Sequence, residues 1–214
     1  MSHGSLTLPA RLSLLAWDTA RPPAGGTAHP AGPVRAGALV DLARRGLLTD
    51  VAGVATPADM DSRSGDAVLD GLLELVHESC PHSWRTWVTL RARVTADAVR
   101  EQLVAGGYLR AEKRRVLGVF PSVEYALERA AAVKVLREET REVLLGPLPA
   151  AGIAERDAAV AVLADAAGLL GAKAGERRVE ELTERAAASV PGLAGIVREV
   201  RTAVEASVPV PTPL

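Results

Sequence analysis

The chain has 214 residues, 48% of them hydrophobic, with 25 basic and 26 acidic side chains and a formal net charge of −1. That balance supplies a core but no global field to draw in nucleic acid or a membrane, so any anion site must be a local patch. The one cysteine, Cys80, excludes an intramolecular disulfide and fits a reducing cytosol, and no apolar run approaches the roughly 18 residues of a membrane span.

The first residues lack the charged-then-apolar pattern of a secretory signal, so a cytoplasmic protein is expected. Leu12, Leu14, Leu15 and Trp17 predict a short buried helix begun after Pro9. The Pro and Gly density of residues 21–33 predicts a loop. Residues 32–48, GPVRAGALVDLARRGLL, predict a helix that opens on Gly-Pro and closes on Gly46. Val34, Leu39, Leu42 and Ala43 fall on one face, and Asp41, Arg44 and Arg45 on the other, which predicts an amphipathic helix. Arg35 lies in its first turn among Ala36, Gly37 and Ala38. Free N–H groups and the helix dipole favour an anion at such a turn, and an arginine adds a forked donor suited to phosphate.

Residues 47–54 predict a short strand and residues 55–64 a polar turn. Residues 65–79 predict a helix with Val68, Leu69, Leu72, Leu73, Leu75 and Val76 inward. A region with Trp84 and Trp87 follows, then the basic pair Arg91 and Arg93. Thr95 is the predicted N-cap of a helix that ends on Gly106-Gly107. Apolar runs around a charged turn at residues 112–115 predict a β-hairpin over residues 108–120, stopped by Pro121. Further helices are expected over residues 122–145, with Ser122 as cap, and over 154–171, 175–189 and 192–207. The expected architecture is an all-α, mainly helical bundle with one projecting hairpin. It forms a single domain over residues 6–207 with a flexible tail at 208–214.

Enzyme motifs are missing: there is no GxSxG, HExxH or GxGxxG, and Gly168 to Lys173 lacks the spacing and the Ser/Thr of a phosphate loop. No catalytic residue and no cofactor are expected. His77, Cys80 and His82 lie close in sequence but fall short of a four-ligand structural metal site, so no metal is expected. Arg100 on a helix, followed by Arg110, Lys113, Arg114 and Arg115 on a hairpin, offers a winged-helix-like nucleic-acid binder as the alternative function. One basic residue on that helix and the slightly acidic chain argue against nucleic acid. Tyr108, Val116 and Phe120 put apolar groups on the hairpin, whose strand edges could serve a protein partner or a second copy of the chain.

Several segments together resemble one family, Golgi phosphoprotein 3 and its bacterial relatives. LTLPARLSLLAWD (6–18) is similar to the family's Leu-rich leading segment. VRAGALVDLARRGLL (34–48) resembles its helix ending in Leu-Ala-x-Arg-Gly. GDAVLDGLLELV (65–76) resembles its Gly-Asp-x-x-Leu-Asp helix start, and LVAGGYLRAEKRRVLGVFP (103–121) its helix–Gly–hairpin element. The resemblance spans most of residues 6–206. It implies a mostly helical domain with a projecting hairpin, in a cytosolic protein that docks peripherally on membranes. The implied ligand is an anionic phospholipid headgroup, phosphatidylinositol 4-phosphate in eukaryotic members, which also act as adaptors. Arg35 matches the family's headgroup-binding arginine. The family's membrane-touching tryptophan has no counterpart in PPAGGTAHPAGP (22–33), and its further arginine pair falls near Ala96 and Ala98. Arg91, Arg93 and Arg100 are the neighbouring basic residues that complete the expected headgroup site.

Overall fold

A computed structural model describes residues 6–17, 31–116 and 120–207, the side chains of 113–122 and 207 excepted. The helices are α1 (Leu8–Leu15), α2 (Ala31–Arg44), α3 (Ala67–Glu78), α4 (Trp84–Thr89), α5 (Ala92–Ala105), α6 (Ala130–Leu145), α7 (Glu155–Ala166), α8 (Glu176–Ala187) and α9 (Leu193–Ser207). Two antiparallel ribbons complete the described residues, β1 (Leu48–Val51) with β2 (Val54–Pro57) and β3 (Leu109–Val116) with β4 (Phe120–Leu127). The class is therefore mainly α, as expected.

Three helices are buried almost all round. Every residue of α1 is buried, and so are Pro33 to Ala43 of α2 and Ala158 to Ala164 of α7. Helix α2 is the hub, packed by α1, α3, α4, α5, α7 and α9. Its crossing with α1 is close. A Cβ on Gly37 would stand 2.6 Å from Leu12 Cδ1 and 3.1 Å from the Pro9 nitrogen. The amphipathic expectation for α2 is thus overturned over most of its length: Arg35 and Asp41 lie inside, because helices cover α2 there, and exposure returns only at its end, with Arg44 half-buried and Arg45 exposed.

Five further expectations are corrected. Residues 47–57 form a hairpin rather than one strand and a turn. Ala52 and Gly53 both have positive φ, 51° and 83°, and Val51 pairs with Val54 across them. That two-residue loop matches the twist of the strands, and Ala-Gly lacks the Asn or Asp that usually announces it. Residues 120–127 belong to β4, so the following helix begins at Ala130 rather than 122. Pro121 does not end the ribbon; it pairs with Arg115, on a two-stranded ribbon whose strands are both edges. Residues 112–115 lie within β3 rather than in a turn, and the described pairing runs out to Val116–Phe120. Helix α5 starts at Ala92, so Thr95 is a buried interior residue and no cap.

Of the expected loop at 21–33, residues 21–30 lie outside the described residues, as does the tail at 208–214, and residues 31–33 open helix α2 instead. Among the described residues no helix is long and apolar enough to cross a membrane.

Candidate anion-binding site

Helix α4 ends at Thr89 and α5 starts at Ala92, so two residues, the extended Leu90 and then Arg91, turn the chain from one into the other. Arg91 is the left-handed one, at φ 51° and ψ 29°. Both helices pack on α2, which places this turn over the first turns of α2. The Arg91 carbonyl accepts two hydrogen bonds, from the Val94 amide at 3.0 Å and from Arg35 Nη2 at 2.6 Å.

Arg35 has no exposed surface. The bond to Arg91 is the one its guanidinium makes, since Nε and Nη1 have no partner. Among the described residues no carboxylate pairs with it. Burial lowers its pKa to about 10, which leaves it charged at neutral pH. A buried charge without a counter-charge is costly, and most buried cations in proteins are paired. Arg11, the other buried arginine among the described residues, follows that rule and meets Asp157 at 2.8 Å. The half-buried Arg137 instead donates to three carbonyls, those of Leu15, Trp17 and Leu169.

The surface over Arg35 is basic. Arg91 and Arg93 are exposed, and between their helix turn and solvent Val94 is 63% exposed. The structure therefore brings Arg35 to the Arg91 backbone and puts Arg93 two residues on. Arg100 is nine residues along α5 from Arg91, about 13 Å at 1.5 Å per residue. It is half-buried, bonded to Asp97 at 3.1 Å, and lies 4.8 Å from the centre of the Tyr125 ring.

The hairpin residues sit elsewhere. Tyr108 is half-buried at the base of the ribbon, its ring 4.8 Å from the Arg129 guanidinium. Val116 and Phe120 pair by backbone at the far end, and their side chains lie outside the described residues. Arg110 is paired with Glu112 at 2.9 Å and Glu128 at 2.7 Å. Of the three residues considered for metal, His82 packs edge-on against Trp87 and Cys80 is exposed. No group of three or more His, Cys, Asp or Glu among the described residues could hold a metal ion.

The family model of Golgi phosphoprotein 3 matches the chain over residues 8–207. The chain belongs to the Golgi phosphoprotein 3 family. The match covers every described helix and both ribbons, so the resemblance carried by the four sequence segments extends to the whole fold. Comparison with curated proteins found no significant match.

The sequence pointed to Arg35 but not to its burial, and it named Arg91 and Arg93 only as side chains. The backbone role of Arg91 has no signal in the residue type, since arginine is not a residue that favours a positive φ.

Proposed function

We propose that this Golgi phosphoprotein 3 family member is a peripheral, adaptor-like protein. It binds an anionic phospholipid headgroup of the phosphatidylinositol 4-phosphate type, with Arg35 as the central contact. The observation that carries this reading is the buried Arg35 guanidinium, which has one hydrogen bond and two nitrogens without a partner. A phosphate monoester supplies the missing negative charge and several acceptor oxygens at once. Arg91 and Arg93 add surface cations that attract an anionic bilayer, and Val94 is an aliphatic contact beside them. Because Arg35 is covered, a headgroup reaches it only when the cover moves aside.

Vesicle sedimentation tests the reading. Wild type and Arg35→Met are compared on phosphatidylcholine vesicles with and without phosphatidylinositol 4-phosphate, at low and physiological salt. Wild type is expected to bind the phosphoinositide vesicles, and Arg35→Met to lose on the order of 2–3 kcal/mol, the cost of a charge-assisted phosphate contact. Equal binding by both proteins rejects Arg35 as the contact, and no binding by either rejects the lipid reading. A duplex-DNA shift run alongside would reveal the nucleic-acid alternative.

A further inference from the structure

We propose that Arg91 is a positioning residue that acts on Arg35 through its backbone rather than through its charge. This inference rests on the anion-site reading above.

Two observations meet at this residue. The first is conformational. Arg91 holds a positive φ without being glycine; among the described residues the other such case is Ala52, which the tight β1–β2 turn explains. A residue with a Cβ is strained in this region, and such strain is retained where the local geometry has work to perform. The second is the hydrogen bond. The left-handed turn aims the Arg91 carbonyl at α2, where it takes Arg35 Nη2 at 2.6 Å. The same oxygen accepts the Val94 amide that begins α5, so both of its lone pairs are used.

The consequence is directional. A guanidinium held at one nitrogen by a fixed carbonyl loses most of its rotational freedom. Nε and Nη1 are then left as donors with a set orientation and no protein partner. The carbonyl brings no negative charge, so it orients the cation without neutralising it. A carboxylate at the same place would close the site. The side chain of Arg91 points to solvent and is dispensable for this task.

The test is a series at position 91. Arg91→Gly and Arg91→Asn keep the left-handed turn, which both residues tolerate, and remove the charge. Arg91→Val removes the charge and disfavours the turn. Two readouts are taken: binding to phosphatidylcholine vesicles containing phosphatidylinositol 4-phosphate, and the NMR resonance of the Arg35 Nε–H. Gly and Asn variants are expected to bind within about fivefold of wild type at low salt, and equally at high salt where a lost surface charge is screened. Their Arg35 resonance should stay in place. The Val variant is expected to lose at least about tenfold more, with the resonance shifted.

Loss in the Gly and Asn variants as large as in the Val variant overturns the proposal, because the side chain is then the contact. So does an unmoved resonance in Val, or a moved one in Gly and Asn. Should Val fail to fold, the Gly and Asn resonances still decide. If wild type does not bind the vesicles at all, the lipid reading falls, while the resonance still reports whether the Arg91 turn orients Arg35.

Discussion

Helix α2 carries two buried charges six residues apart, and they are treated in opposite ways. Asp41 has no exposed surface, like Arg35, yet its carboxylate is fully engaged. It accepts the Leu8 amide at the start of α1 at 3.0 Å, and Arg44 and Arg45 at 3.2 Å each. It serves as a cap for α1 supplied from a neighbouring helix, satisfying an amide that α1 cannot. Arg35 has a carbonyl and no counter-charge. One end of α2 holds a charge whose partners join two helices; the other holds a charge with two nitrogens that have no partner, the feature on which the headgroup proposal rests. Burial is the same for the two charges; the tally of partners is what tells them apart.

The largest effect is expected at the Asp41 end. Asp41→Ala orphans the Leu8 amide and leaves two arginines without their partner. Arg44 and Arg45 keep about a third of their side-chain surface, 30% and 32%, so they can hydrate and their share is small. The buried amide cannot, and together with the void the loss should be about 3 kcal/mol. For a chain of this size that is on the order of 10 °C in Tm. A thermal melt that leaves Tm unchanged would break the comparison at once.

The Arg35 end should respond with the opposite sign. Arg35→Met removes an uncompensated buried charge and keeps most of the volume, so the protein should gain about 1–2 kcal/mol while losing the headgroup. Stability gained at the expense of binding is the signature of a residue kept for function. Thermal melts of wild type and variant without lipid measure it. A loss similar to that of Asp41→Ala would mean that the bond to Arg91 holds the α2–α5 contact and that Arg35 is structural.

How much of this was legible in the sequence differs between the two ends. Gly32-Pro33 and Gly46 marked the helix, and the residue types around Arg35 marked its first turn. The burial of Asp41 was not legible, because Asp41, Arg44 and Arg45 at helical spacing read as a solvated face. Only the helices packed around α2 put Asp41 inside while Arg44 and Arg45 stay in reach of water, and that is a property of the assembled bundle. The same applies at the α4–α5 turn. Thr95 is a good local cap, but the left-handed Arg91 starts the helix earlier and Thr95 is carried into the core. In the ribbon, FPSVEYAL alternates in strand period, and the proline hid it, since its cost vanishes only on an edge. Local propensity was informative wherever packing did not compete with it.

The smallest effect sharpens the comparison at the surface. Arg93 and Arg100 lie on the same helix and carry the same charge, but Arg93 is exposed with no ion pair among the described residues, whereas Arg100 has Asp97 and the Tyr125 ring. A free exposed cation near an anionic bilayer contributes about 1 kcal/mol, and salt screens it. Arg93→Ala should therefore weaken binding to phosphoinositide vesicles about fivefold at low salt and hardly at all at high salt. Arg100→Ala should do less, because Asp97 already offsets its field and its position is about 13 Å along α5 from the Arg91 turn. The two variants need only one salt series of vesicle sedimentation. A larger effect at Arg100 than at Arg93 would move the membrane-facing surface from the α4–α5 turn to the side of α5 that meets the β3–β4 ribbon.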